Sequence, residues 1–311
     1  MAIDAQDVKR HGKHYTPTSL ALFLADRVIA HAPVTGVLRV LDPACGDGEL
    51  LFAIHDVAAS LRPNLKLIFE GYDLDPQAIE QAELRATERG IEGSWHVADF
   101  IALSSTLEAA SYDVIITNPP YVRYQSQNGN GAGVGDVRRG LSAIVNARVT
   151  GGERALWQAL VEGYSGLADL SVPAWLLSAL LTRPGGRLAL VVPATWRSRD
   201  YADVVRYVLL RAFRLEFIVA DTQPGWFSDA LVRTHLVIAR RLSWDEAQAP
   251  VSDRSSLPAA RWLQVTPAAA GGESLVGSAF PGPEPERDFA TWTSAANREV
   301  PGIESRQFAL D

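Results

Sequence analysis

Residues 37–54 read VLRVLDPACGDGELLFAI. A short apolar run ends at Asp42, a glycine-containing turn follows, and helical spacing of apolar residues begins near Glu49. This is a buried strand, a tight turn and a helix in succession. Residues 64–90, NLKLIFEGYDLDPQAIEQAELRATERG, repeat the plan, with a strand near 66–73 and a helix near 76–89. SWHVADF (94–100) is a further short strand, and YDVIITNPPY (112–121) is a strand stopped by two prolines, which cannot continue a central ladder. Strands alternating with helices predict an α/β chain with a mostly parallel sheet and helices on both faces.

The plan continues on either side. Residues 16–31 carry Leu20, Phe23, Leu24 and Ile29 at helical spacing, with Thr16 and Pro17 placed as N-cap and first-turn residue. Residues 125–152, rich in Gly, Asn and Gln at the start, read as a mobile loop, and 153–183 as helical. GGRLALVVPATW (185–196) is strand and turn, 200–213 helix, RLEFIVAD (214–221) and THLVIARRL (234–242) strands. No helical segment separates the last two strands. They are expected to pair as an antiparallel hairpin, giving seven strands with the last antiparallel. From about Ala247 the composition shifts to Pro, Ala, Gly and Ser. The expected division is a catalytic domain over 1–246 and, over 247–311, a linker running into a partial or partner-dependent segment.

Composition narrows the class. A chain of 311 residues with 47% apolar and 21% charged residues can bury a full core. A single cysteine, Cys45, makes neither a disulfide nor a cysteine-rich zinc site. The N-terminus has no apolar core of a signal peptide, and no apolar run approaches the roughly 20 residues of a membrane span. The expectation is a cytoplasmic protein without membrane contact. The net charge of -7 excludes a whole-surface grip on nucleic-acid phosphates, so any such contact needs a local basic face or a second protein.

Four strand ends carry chemically pointed residues. In LDPACGDGELL (41–51), Gly46 and Gly48 allow close backbone approach to a ligand at the carboxyl end of a strand. An aspartate (Asp42) and a carbonyl there suit an ammonium, whereas a phosphate wants bare N–H groups. In GYDLDP (71–76), Asp73 is placed to accept from two ribose hydroxyls and Leu74 to pack on an adenine ring, while Asp75 before Pro76 fits a helix cap. In ADF (98–100), Asp99 can accept from an adenine amino group and Phe100 can cover the ring.

NPPY (118–121) is the most pointed motif. Pro119 and Pro120 fix φ and remove two donors, leaving rigid carbonyls after the strand end. The Asn118 amide oxygen and the Pro119 carbonyl can both accept from one NH2 group. The lone pair of a planar amine is delocalised into its ring or carbonyl. Two fixed acceptors that draw its protons out of plane favour a tetrahedral, nucleophilic nitrogen. Tyr121 supplies a face on which a flat substrate stacks. Each motif alone also reads as a plain turn or cap. Their order along successive strand ends favours function.

In these motifs the sequence resembles the N6-adenine DNA methyltransferases in their gamma arrangement, as in type II restriction-modification or related defence systems. HYTP (14–17), DPACGDG, DLD, ADF, NPPY and GWFSDALVRTHLVI (225–238) follow the family order over about residues 10–241. The resemblance implies a Rossmann-like S-adenosylmethionine-dependent fold and S-adenosyl-L-methionine as cofactor. Thr16 would hold the methionine carboxylate. Asp42 and the Ala44 carbonyl would hold its ammonium, beside Gly46 and Gly48. Asp73 and Leu74 would take the ribose and the adenine, and Asp99 and Phe100 the adenine amine and ring. Asn118 and Pro119, with Pro120, would bind the target amine, and Tyr121 and Phe227 the flipped base. The substrate implied is double-stranded DNA. Family members carry a target-recognition domain after the last strand or pair with a specificity subunit. Residues 247–311 show no such fold, so a partner protein or a longer chain is expected to read the DNA sequence.

Other residues carry less. The six histidines (11, 14, 31, 55, 96 and 235) show no metal-ligand spacing, and no metal is expected. Arg138 and Arg139, with Arg123 and Arg154, are candidates for a DNA-contacting loop, and Arg197 and Arg199 for phosphate contacts. Two other readings stay open. One is a methylase of a protein glutamine amide or an RNA guanine amine, whose acceptor is again a planar NH2. The other is a non-catalytic cofactor-binding subunit of a larger complex.

Overall fold

A computed structural model describes residues 16–32, 35–102, 109–119, 134–163, 171–221, 233–248, 260–265 and 303–308. Helix α1 spans Thr18–Ile29 and leads into β1 (Gly36–Asp42), α2 (Glu49–Leu61), β2 (Leu65–Asp73), α3 (Pro76–Glu88), β3 (Gly93–Val97) and β4 (Tyr112–Thr117). Then come α4 (Val134–Arg148), α5 (Gly151–Gly163), α6 (Ser171–Leu181), β5 (Thr182–Pro193), α7 (Asp203–Ala212), β6 (Phe213–Asp221), β7 (Thr234–Arg241) and α8 (Trp244–Gln248).

The strand order is β3-β2-β1-β4-β5-β7-β6, extended by β8 (Ala260–Val265) and β9 (Ile303–Phe308). β3, β2, β1, β4 and β5 run parallel. β7 lies between β5 and β6 and is antiparallel to both. The expected seven-stranded sheet with its antiparallel last strand is present. Beyond it, β8 pairs parallel with β6 and β9 pairs antiparallel with β8. Two stretches of the Pro-, Ala- and Gly-rich segment thus join the same sheet. The expected boundary at 246 falls inside α8.

The sheet is buried on both faces, and period-2 alternation separates two cores. Val40, Val114, Ile116, Ala189, Val191, Leu236 and Ile238 face α1 and α2. Leu41, Ile115, Leu188, Leu190, Val192, Val237 and Ala239 face α4, α5, α6 and α7. This explains why the β5 sequence LALVV (188–192) is continuously apolar, as a doubly covered strand must be.

The loop expected over 125–152 is wrong for its second half. Residues 134–148 form α4, because Val137, Leu141, Ile144 and Val145 recur at helical spacing and are buried. Composition at the glycine-rich start masked that period. Within the helical stretch expected over 153–183, α5 and α6 are helical, residues 164–170 lie outside the described residues, and β5 begins at Thr182.

A buried arginine ties the second core together. Arg241, at the end of β7, is 2% exposed and donates to the carbonyls of Ala179 (3.2 Å), Leu180 (2.9 Å) and Thr182. It thereby satisfies acceptors that the end of α6 leaves orphaned. Its other arm reaches Glu153 of α5 at 2.5 Å, a carboxylate that also accepts from the Trp157 indole N–H at 3.1 Å. Removing one partner of such a pair strands the other charge and the carbonyls. Arg241→Met is expected to lower unfolding free energy by about 3–5 kcal/mol in urea denaturation. Adding Glu153→Gln to it recovers part of that loss.

Candidate active site

Asp42, Asp73, Asp99 and Asn118 stand at the carboxyl ends of β1, β2, β3 and β4, four neighbouring parallel strands. Asp42 closes β1 and is 1% exposed. Its Oδ1 accepts the Ala44 N–H at 3.0 Å, which turns the chain out of the strand. Burial pushes the Asp42 carboxyl up to about 7. The Ala44 amide and the Thr117 hydroxyl work against that rise, and the charge of Asp73 adds to it.

The turn after β1 is held from several sides. The Cys45 N–H donates to the Tyr72 carbonyl (2.8 Å), and the Gly46 N–H to Asp73 Oδ2 (2.9 Å). Gly46 and Gly48 have φ of 53° and 87°, in the left-handed region that favours glycine. A Cβ on Gly48 would also stand 2.6 Å from the Phe52 ring. On the outer side Arg85 of α3 grips Asp47 Oδ2 (2.7 Å) and Glu49 Oε2 (2.6 Å) and lies over the Phe52 ring. Sequence reasoning missed this clamp. A lone arginine on a helix gives no signal until the fold brings it across to a turn 38 residues away.

Asp73 closes β2. Its Oδ1 accepts the Asp75 N–H at 2.9 Å, so each oxygen already serves one backbone donor and keeps capacity for another. Asp75 caps α3, accepting from the Gln77 N–H at 3.0 Å, as its place before Pro76 predicted. Leu74 between them is exposed at this edge. Asp99 Oδ1 accepts from the Ile101 and Ala102 N–H groups (3.0 and 3.3 Å), and Phe100 is buried with its ring 5.1 Å from that of Tyr72.

Asn118 and Pro119 follow directly on β4. The expected N-cap role of Thr16 is not found. Pro17 precedes the first helical residue and its carbonyl accepts from Leu20 and Ala21, with no side-chain cap. The Thr16 hydroxyl instead accepts from Asn118 Nδ2 at 3.2 Å, joining the segment before α1 to the end of β4. Pro120, Tyr121, Arg123, His14 and Phe227 lie outside the described residues.

The candidate DNA-contacting arginines part company. Arg138 and Arg139 lie on helix α4 and not in a loop. Arg154 ties α5 to α4 through the Val149 and Asn146 carbonyls (2.7 and 3.2 Å). Arg197 and Arg199 are exposed after β5. Cys45 is buried, and burial pushes its thiol up, so it packs and does not react. Among the described residues no group of three His, Cys, Asp or Glu side chains is placed to hold a metal ion. No described helix is long and apolar enough to cross a membrane.

Residues 35–137 match the family model of a methyltransferase domain. The fold as a whole resembles that of solved class I S-adenosylmethionine-dependent methyltransferases. A solved structure of such a protein from Listeria monocytogenes superposes with a TM-score of 0.59 and 17% identity, over 89% of this chain and 71% of that one. Among curated relatives, the type II methyltransferase M.BanIII of Aneurinibacillus aneurinilyticus is 27% identical, over 76% of this chain and 39% of its own length. M.TthHB8I of Thermus thermophilus is 29% identical, over 71% of this chain and 44% of its own. The chain thus spans about two fifths of the length of the relatives it matches. The cofactor that this domain and fold imply is S-adenosyl-L-methionine. The donor set fits: a buried carboxylate at Asp42 for an ammonium, a second at Asp73 with unused acceptor capacity, and a glycine turn between them.

Gly71 is a further site residue that the sequence did not single out. A Cβ there would stand 2.8 Å from the Trp95 ring and 2.9 Å from Cys45 Sγ, under the turn. Gly71→Ala is expected to cost about 1–3 kcal/mol in thermal or urea unfolding. Cys45→Ala in the same chain restores part of that, since it removes one of the two clashes.

Proposed function

We propose that this chain transfers a methyl group from S-adenosyl-L-methionine to the N6 amine of adenine in DNA. The observation that carries this reading is the hydrogen bond from Asn118, after β4, to Thr16, beside the neighbouring end of β1 that carries Asp42. The two type II methyltransferases that align with over 70% of the chain support DNA as the substrate class.

When bound, the cofactor supplies a methyl group on a sulfonium, open to direct displacement. Asp42 and the Ala44 carbonyl would hold its ammonium, Thr16 its carboxylate, and Asp73 its ribose. Leu74, Asp99 and Phe100 would line its adenine, and Gly46 and Gly48 give the backbone its close approach. Asn118 and Pro119 accept hydrogen bonds from the two protons of the target amine and so turn its lone pair toward the reacting centre. No general base with a shifted pKa is needed to start the reaction. Tyr121 and Phe227 would stack on the extruded base, and Pro120 would keep the acceptors rigid. With a net charge of -7, the chain gains its grip on double-stranded DNA from a local basic surface or from a separate specificity protein.

Two measurements test this. Labelled methyl is offered with DNA, RNA and protein, with and without neighbouring gene products, and the product DNA is digested to nucleosides. Label in N6-methyladenosine, lost in Asn118→Ala, supports the proposal. Label in RNA or protein alone overturns the DNA reading, and cofactor binding with no transfer under any pairing supports a non-catalytic subunit. The second measurement is the pH dependence of S-adenosylhomocysteine binding. The ammonium selects the charged form of a carboxyl held at about 7, so affinity rises with pH up to that value and levels off above it. Below pH 7 the slope approaches tenfold per unit, and Asp42→Asn abolishes it.

A further inference from the structure

The link between Thr16 and Asn118 joins residues 102 positions apart at the point where the reaction is proposed to occur. Both are partly buried. Thr16 stands just before α1, whose Leu20, Phe23 and Leu24 are buried in the same core as Val114 and Ile116 of β4. Asn118 follows the fully buried Thr117. The elements that carry the two side chains therefore pack in one layer.

A carboxamide has two chemically opposite ends. Its oxygen accepts, and its nitrogen donates. Only the oxygen can receive a proton from an amine, and a flipped Asn118 would oppose donor to donor. A threonine hydroxyl has one proton and two acceptor sites, so by itself it would tolerate either orientation of the amide. That changes once its proton is committed to an anion. The hydroxyl oxygen can then only accept, and Asn118 must present nitrogen to it, as observed at 3.2 Å.

We infer that Thr16 is a positioning residue for Asn118, and that a carboxylate taking the Thr16 hydroxyl proton locks the Asn118 oxygen toward the acceptor amine. The inference rests on the proposed function of this site and deepens it: occupancy of the cofactor's carboxylate subsite sets the orientation of the group that receives the target. Thr16 thus acts twice, once on the cofactor and once through Asn118.

The test uses the full chain, with Thr16→Val removing the hydroxyl at nearly constant shape and Thr16→Ser retaining it. At saturating cofactor and DNA, Thr16→Val is expected to lower the single-turnover methyl-transfer rate about three- to tenfold, and Thr16→Ser to restore most of it. An unchanged rate in Thr16→Val at saturation, or an equal fall in Thr16→Ser, would overturn the inference, leaving Thr16 a cofactor contact or a structural residue. Calorimetric binding of S-adenosylhomocysteine gives a readout independent of turnover. Asn118→Ala is expected to weaken it about threefold in the native background and not at all once Thr16→Val is in place. Additive losses in that cycle would also overturn it. If the native chain methylates nothing under any pairing, the proposed function falls by itself, and the binding cycle still decides whether Thr16 and Asn118 are coupled.

Discussion

The hydrogen bond from the Gly46 N–H to Asp73 holds the site in its shape. It fastens the turn after β1 to the end of β2, where the Cys45 N–H also meets the Tyr72 carbonyl. Both donors belong to a turn that has left the ladder, so they need partners from the neighbouring strand or from water. Asp73 provides one and, with its other oxygen, shapes its own exit from β2 toward α3. The same carboxylate proposed to meet the ribose therefore also sets the geometry of the turn beside it. A change at Asp73 would perturb structure and binding together.

Around that bond the site is built by exclusion. Gly71 has no side chain because Trp95 and Cys45 occupy the space, and Gly48 has none because Phe52 does. Arg85 closes the outside by pairing with Asp47 and Glu49. These are packing and ion-pair constraints on the turn proposed to receive the cofactor. Asp42 is the opposite case, a carboxyl driven into the interior where its charged form is disfavoured. A buried acid of this kind costs free energy until a cation meets it, which is the property of a binding residue more than of a structural one.

The second core answers a different demand. Helices α4 to α7 must cover the face of β4 and β5 while bridging long connections. Arg241 joins α5, α6 and β7 at one point, serving three carbonyls and Glu153. The sheet beneath the site is thus clamped on both faces, by α1 and α2 below and by this polar knot with its apolar surround above. That rigidity allows Asn118 and Asp42 to hold fixed positions at the ends of adjacent strands.

By itself the sequence determined the alternation of strands and helices and the antiparallel pairing of β6 and β7, and it marked the strand ends proposed to carry chemistry. Period-2 and period-3.6 patterns are local, and a glycine turn or a double proline is visible without any partner. Asp75 as a helix cap was legible for the same reason, since its donor lies two residues away. Helix α4 was not, because a glycine-rich start outweighed the buried spacing of Val137, Leu141 and Ile144. β8 and β9 were hidden too, since a six-residue strand is recognised by the ladder it finds and not by its own short pattern. Only the tertiary structure decided that Thr16 serves Asn118 and not its own helix, that Arg85 locks the turn, and that Gly71 makes room for Cys45. Each of these is a contact between residues distant in sequence, and its energy exists only once the sheet has brought the strand ends together.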